Sequence, residues 1–206
     1  IIADECKPGV PMVLKDPRLS RLVPHYRAAL EGKTNLKVVI AVRNPIEVMT
    51  SLMQRNSMSD ANASLLWLRY MLDAVRDSAG LPRAFVSYEQ MLNDPAACFA
   101  KVETALNEPF PSKIKAVLPD IDAFLNGKFR TQHSSNEDIY HNDLTRGWIS
   151  DSYDALRALT VDANDEKALR TLADLTAQID QTEGLWGHVI GTYDADTLEM
   201  RRKAAS

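Results

Sequence analysis

Arg43 and Ser51 stand eight residues apart and are well suited to bind a phosphate-like anion. Arg43 directly follows the apolar run Val38–Val42, whose length and composition are typical of a buried strand in a parallel sheet. Asn44 followed by Pro45 is typical of the start of a helix. Arg43 is therefore predicted to lie beside the positive end of a helix, where anions bind. Its planar guanidinium can hold phosphate through two hydrogen bonds.

Both residues also have a simpler interpretation. Arg43 can instead pair with a nearby carboxylate, and the spacing alone does not separate the two interpretations. Ser51 can bond to a carbonyl one turn back in its own helix, which the residue by itself favours. Glu47, three residues after Asn44, is predicted to close a capping box at the start of this helix.

Arg-Asn-Pro at 43–45 followed by Ser51 resembles the element with which sulfotransferases hold the 3′-phosphate of their donor, 3′-phosphoadenosine 5′-phosphosulfate (PAPS). Three further stretches resemble members of that family, mainly the bacterial ones, in the same order, and the match spans roughly residues 13–125. These stretches are VLKDPRLSRLVP at 13–24, LWLRYMLDAVRD at 66–77 and RAFVSYEQMLNDP at 83–95. The resemblance implies an enzyme that transfers a sulfuryl group from PAPS to a hydroxyl or an amine.

The resemblance also implies roles for four more residues. Lys15, similar to the lysine of Lys-Asp-Pro in tyrosylprotein sulfotransferases, would neutralise the leaving phosphate, and Asp16 would orient Lys15 or take the acceptor's proton. Tyr88, in a Tyr-Glu pair after a strand, would contact the adenine; the alternative is a tyrosine at the edge of the core. Arg18 would contact the donor or the acceptor sulfate, or would simply begin a solvated helix face.

One element of that family is missing from the sequence. Sulfotransferases carry on their first strand and turn a loop rich in Gly, Ser and Thr, whose N–H groups bind the 5′ end of the donor. The similar run Gly32-Lys33-Thr34 has Arg27 where a P-loop needs a glycine, and it follows a predicted helix instead of a strand. It is therefore predicted to be the turn after a helix. We expect a truncated chain that lacks the first strand, this loop and the first helix; a natural protein without them is the alternative.

Strands that alternate with helices predict an α/β fold with a parallel sheet flanked by helices. The resemblance implies that this is a P-loop-like sulfotransferase core, truncated at its N-terminus. The predicted strands are Met12–Leu14, Leu36–Val42 and Ala84–Ser87. The predicted helices are 19–30, bent or broken near Pro24, then 45–56, 60–79 and 95–106, with a later hairpin that turns at 162–165.

Three regions are predicted along the chain. The partial α/β core covers residues 1–125, a polar loop or lid covers 126–150, and a C-terminal helical hairpin with a charged tail covers 151–206. The loop carries basic residues, and the resemblance implies a mobile lid, since many sulfotransferases cover the donor with a late basic loop. A disordered surface loop is at least as good an interpretation.

Composition limits the classes of function. Lys plus Arg number 24 against 28 for Asp plus Glu, a net charge of −4, so no nucleic-acid partner is expected. No apolar run reaches the roughly 18 residues needed to span a bilayer. Cys6 and Cys98 have no disulfide-framework spacing, which predicts reduced thiols in a cytoplasm. The four histidines lack metal-ligand spacing, so no metal is expected.

Two other classes of function stay open on the sequence. One is a binding or interaction module that keeps the 3′-phosphate pocket without transferring sulfate. The other is a nucleotide-binding kinase relative, which the lack of a P-loop and of a metal-binding aspartate after a strand disfavours. The acceptor is expected to be a small molecule or a glycan, with a peptide tyrosine as the alternative. A sheet that lacks a strand would leave an edge to be covered, which is compatible with a homo-oligomer.

Overall fold

A computed structural model describes residues 11–128, 137–143, 145–182 and 184. This part of the chain is mostly helical and contains two short parallel strands, β1 (Val38–Val42) and β2 (Arg83–Ser87). The helices are α1 (Leu19–Leu30), α2 (Pro45–Asn56), α3 (Asp60–Asp77), α4 (Tyr88–Asn93), α5 (Pro95–Leu106), α6 (Ile114–Lys128), α7 (Asp138–His141), α8 (Trp148–Val161) and α9 (166–182).

The two strands pair in parallel, in a register that runs from Val38 opposite Arg83 to Val42 opposite Ser87. Each strand is followed at once by a helix, α2 after β1 and α4 after β2. Both strands therefore end at the same edge of the sheet, and the residues that follow them are neighbours. The predicted parallel pairing flanked by helices is confirmed for these two strands, and the larger sulfotransferase core stays a prediction.

Side chains at the helix starts explain where several helices begin. Each accepts a hydrogen bond from a backbone N–H that has no partner inside its own helix. The accepting atoms are Asn44 Oδ1 from Ile46 N at 2.9 Å, Ser59 Oγ from Asn62 N at 3.3 Å, Ser87 Oγ from Gln90 N at 3.3 Å and Asp94 Oδ1 from Ala97 N at 2.9 Å. The predicted starts at 45, 60 and 95 are confirmed.

The main core lies between one face of the sheet, α3 and the C-terminal hairpin. Large side chains from all three parts are almost fully buried there: Ile40, Trp67, Leu68, Leu72, Phe85, Leu156, Leu159 and Leu172. On the other face, Ala84 and Val86 of β2 pack against Cys98 and Val102 of α5. The predicted hairpin is confirmed, with Asp165 N bonded to Asp162 O at 3.1 Å in its turn.

A cluster of charges around the buried Asp73 joins α1, α3 and α9, and we call it the Asp73 cluster. Asp73, whose side chain is 2% exposed, lies 3.0 Å from Arg69 Nε, 2.9 Å from Arg76 Nη2 and 3.2 Å from Arg21 Nε. Asp180 of α9 pairs with the same Arg69. One carboxylate is thus shared by arginines of α1 and α3, and a second carboxylate brings α9 to the same place.

The predicted strand at Met12–Leu14 is wrong, because these residues have no regular secondary structure and Val13 is 85% exposed. A strand needs a neighbour to bond its N–H and C=O groups, and the described sheet consists of β1 and β2 alone. Helix α1 runs through Pro24 without a break. The run Gly32-Lys33-Thr34 is confirmed as the turn after α1, with Gly32 at φ +69° and Lys33 N bonded to Leu30 O at 3.0 Å.

The region predicted as a polar loop or lid is described in part. Ile139 of α7 is fully buried, and Thr145 Oγ1 donates a hydrogen bond to Ile139 O at 2.6 Å, so this portion is packed against the core. Residues 129–136 and 144 of that region and the tail from 185 lie outside the described residues. No helix in the described part of the chain is both long and apolar enough to cross a membrane.

Candidate functional site

Arg43 and Tyr88 meet at the edge where the two strands end. Each is the first residue after its strand. Because the last residues of the two strands, Val42 and Ser87, are paired, the residues that follow them lie side by side. The Cζ atom of Arg43 lies 4.3 Å from the centre of the Tyr88 ring, which is the distance of a cation–π contact. The structure thus joins two residues that the sequence assigned to one ligand.

Glu47 binds the same guanidinium from one turn along α2. Arg43 Nε donates to Glu47 Oε2 at 2.8 Å, and the two side chains are 29% and 11% exposed. The simpler interpretation of Arg43, that it pairs with a nearby carboxylate, is therefore confirmed. That bond uses Nε, so the two Nη groups, which form the outer end of the fork, stay available to bind an anion. The pairing fixes the guanidinium in place without occupying that end.

Ser51 lies on the same side of α2 as Glu47, because residues four apart share a helix face. It is half-buried. Ser64 and Thr104 illustrate the alternative interpretation of Ser51, since their hydroxyls donate to carbonyls one turn back at 2.7 and 2.9 Å. Ser51 makes no such bond among the described residues, which leaves its hydroxyl as a candidate donor to an anion held by Arg43.

Asp16 and Arg18 form a second pair, in the exposed segment before α1. Arg18 donates from Nε to Asp16 Oδ1 at 2.9 Å and from Nη2 to Oδ2 at 2.7 Å. The side-chain bonds from Arg18 hold the pKa of Asp16 far below its usual range. A carboxylate stabilised in this way is a weak base, which disfavours Asp16 as the acceptor of a proton. Lys15 lies in the same exposed segment, beside the pair.

A groove of about 590 Å³ opens beside the strand ends, and we call it the α4–α8 groove. It is lined by the ends of the two strands, by α4 and by α8 from Tyr153 to its C-terminal end. The lining residues are Val42, Ser87, Glu89, Gln90, Asn93, Tyr153, Asp154, Arg157, Ala158, Thr160 and Val161. Arg43, Ser51 and Tyr88 are outside this lining. Arg43 and Tyr88 each directly follow a lining residue in the chain, so the groove and the Arg43 region share the edge where the strands end.

Two charged side chains of the groove, Asp154 and Arg157, contact aromatic neighbours. Tyr140 Oη donates to Asp154 Oδ1 at 2.6 Å, and this bond raises the pKa of Tyr140. Arg157 Cζ lies 5.8 Å from the ring centre of Tyr153. Burial raises the pKa of Tyr153 to about 12, so this phenol is neutral at ordinary pH.

Sequence reasoning missed the α8 wall of this groove. Asp154 and Arg157 belong to a helix that the pattern of leucines assigns to packing, and charged residues on such a helix are typical of a solvent-facing side. The i, i+3 spacing of Asp154 and Arg157 was visible, but nothing in it indicates what the pair faces.

No group of three or more His, Cys, Asp or Glu side chains in the described part of the chain is arranged to hold a metal ion. Comparisons with protein-family models, with curated proteins and with solved structures return no match to this chain.

Proposed function

We propose that this chain is a PAPS-dependent sulfotransferase domain, in which Arg43 and Ser51 bind the 3′-phosphate of the donor and Tyr88 contacts its adenine. The observation that carries the proposal is the placement of Arg43. Its guanidinium lies where β1 ends, is bonded through Nε to Glu47 and stacks on Tyr88. Ligands of open α/β sheets bind at this edge.

The anion would be held mainly by side chains. The N–H of Ile46, at the start of α2, is already bonded to Asn44 Oδ1 at 2.9 Å. The outer end of the Arg43 fork and the Ser51 hydroxyl are the groups that would contact the phosphate. The positive end of α2 adds favourable electrostatics without a direct bond.

Catalysis of sulfuryl transfer would depend mainly on positioning and on charge stabilisation, as in phosphoryl transfer. Lys15 is the proposed residue that neutralises the leaving phosphate. Asp16, which is bonded to Arg18, would hold the turn that carries Lys15. In this proposal Arg18 supports the turn through its bond to Asp16 and does not contact the donor.

The acceptor in this proposal is a small molecule or a glycan. PAPS is the co-substrate, and no other cofactor is proposed. We propose a cytoplasmic enzyme, which is compatible with the free and buried Cys98. No nucleic-acid partner is proposed, because the chain has a net charge of −4.

The proposal is tested by calorimetric titration of the chain with 3′,5′-ADP, 5′-AMP and magnesium ATP. We expect 3′,5′-ADP to bind at least about tenfold more tightly than 5′-AMP, because a charge-assisted hydrogen bond contributes about 1.5–3 kcal/mol. Equal affinity for the two nucleotides, or a preference for magnesium ATP, would reject it.

A double variant tests whether 3′,5′-ADP binds at Arg43. Arg43→Ala combined with Glu47→Gln removes the guanidinium without leaving its carboxylate partner charged, and should abolish the preference for 3′,5′-ADP. Arg55→Ala is the matched control, because Arg55 is an exposed arginine of the same helix that bonds to Asn56. The control should bind like the unmodified chain.

A further inference from the structure

The α4–α8 groove has the shape and the position of a second ligand site. Its volume of about 590 Å³ lies within the range of about 300–1,000 Å³ typical of small-molecule sites. It starts at Val42 and Ser87, each of which immediately precedes a residue assigned to the donor. A ligand in the groove would thus lie beside the proposed donor site.

The groove combines an apolar base with a polar rim. Val42, which is 3% exposed, and Ala158 contribute small apolar surfaces. Gln90 and Asn93 lie three residues apart and so share a face of α4, and their amides both donate and accept hydrogen bonds. A hydroxyl-rich molecule with apolar C–H faces, such as a sugar, matches this combination.

The charges of the groove favour a neutral ligand over an anionic one. Glu89 and Asp154 supply two carboxylates, and Arg157 supplies one guanidinium, so the lining has a net charge of −1. Asp154 is oriented by the bond from Tyr140, and Arg157 lies three residues along the same face of α8. A carboxylate oriented in this way and the neighbouring guanidinium can bind neutral hydroxyl groups, and the net negative charge of the lining weakly repels a uronate or a sulfated sugar.

An aromatic acceptor fits less well. Tyr153 is the aromatic residue of the lining, and it is 6% exposed, so it offers little surface on which a second ring could stack. The remaining apolar side chains of the groove are small. A peptide tyrosine would therefore lose the apolar contacts that normally hold an aromatic ring.

We propose that the α4–α8 groove is the acceptor site and that it binds an uncharged sugar. This inference rests on the proposed sulfotransferase function. In the transfer, a sugar oxygen would form a bond to the sulfur of PAPS, and the bond from sulfur to the bridging phosphate oxygen would break. The electron pair leaves with 3′,5′-ADP, and the hydroxyl proton passes to water.

The test is ligand-detected saturation-transfer NMR on the full chain, with three probes: methyl β-D-glucopyranoside, glucuronic acid and N-acetyltyrosinamide. We expect the neutral glucoside to bind more tightly than the other two. The double variant Gln90→Ala/Asn93→Ala should weaken the glucoside about tenfold, because two hydrogen bonds are lost. Gln54→Ala is the matched control, since it removes an exposed amide on α2, away from the groove.

Titration with 3′,5′-ADP in the same samples separates this inference from the proposed function. Glucoside binding that the double variant loses, with the affinity for 3′,5′-ADP unchanged, supports the acceptor site. Binding of 3′,5′-ADP without the glucoside overturns the inference and leaves the proposed function standing. Glucoside binding without 3′,5′-ADP rejects the proposed function and the acceptor assignment together. A preference for glucuronic acid or N-acetyltyrosinamide, or equal glucoside binding by the double variant, also overturns the inference.

Discussion

Replacing Arg43 by Ala should destabilise the fold, because it removes a cation that is bonded to the carboxylate of Glu47. The Glu47 side chain is only 11% exposed, so water restores little of the lost interaction. Loss of the partner of a buried polar group costs about 1–3 kcal/mol, and more when the group is charged. We expect Arg43→Ala to lower the free energy of unfolding by about 2 kcal/mol, and Glu47→Gln in the same chain to recover part of it.

Urea denaturation followed by circular dichroism measures this effect. With a slope of about 2 kcal/mol per molar urea, a loss of about 2 kcal/mol lowers the midpoint by about 1 M. The four chains of the cycle, unmodified, Arg43→Ala, Glu47→Gln and both together, give the coupling energy of the pair. Exposed ion pairs couple by about 0.2–1 kcal/mol, and the limited exposure of Glu47 leads us to expect a value at or above the top of that range.

A coupling energy near zero would contradict this prediction, because the guanidinium would then not be held by Glu47 and would have no fixed orientation toward an anion. Arg55→Ala on the same helix is the reference for this measurement too. As an exposed substitution, it should change the free energy of unfolding by no more than about 0.5 kcal/mol.

Three further predictions concern other parts of the chain. Lys15→Ala, in a form of the protein that transfers sulfate, should reduce kcat more than the affinity for 3′,5′-ADP; unchanged turnover would remove Lys15 from the mechanism. NMR titration should find the pKa of Asp16 below 3.8, its ordinary value, and Arg18→Ala should return it there; the stabilisation from this pair is present above the ordinary pKa and is lost as the pH falls through the lowered one. Absorbance titration should show Tyr153 ionising only near pH 12 in the folded chain, and a pKa near 10 would contradict the burial of this side chain. Because the unfolded chain loses this proton at lower pH, the free energy of unfolding should fall as the pH rises above 10.

Local signals in the sequence predicted the helix starts well. Asn44, Ser59 and Asp94 each bond a backbone N–H within the next three residues, so the information needed lies within one turn. The strand Val38–Val42 was predicted, two residues too long as 36–42, for a similar reason, because a short apolar run before a helix start is itself distinctive.

Signals that depend on a distant partner were less informative. Met12–Leu14 has the composition of a strand, but a strand forms only where a second strand bonds to it. The contact between Arg43 and Tyr88 follows from the register of two strands more than 40 residues apart in the chain. The sequence supplied both residues, and the structure supplied their distance.

The α4–α8 groove could not be predicted, because its walls come from separate parts of the chain. Gln90 and Asn93 follow β2, whereas Asp154 and Arg157 come from the C-terminal hairpin. Each pair, taken alone, has the pattern of a solvated helix face. Only the packing of α8 against the strands makes the two faces opposite walls of one site.

The Asp73 cluster makes a large part of the molecule dependent on a single carboxylate. If Asp73 became Asn, Arg21 would lose its ion pair, and Arg69 and Arg76 would keep Asp77 and Asp180 as partners, so three arginines would share two carboxylates across the junction of α1 and α3. Salt would screen part of this excess positive charge, because the side chains of Arg21 and Arg76 are 51% and 42% exposed. Position 73 is thus a point where one mutation would loosen several helices at once, far from the strand ends where the ligands are proposed to bind.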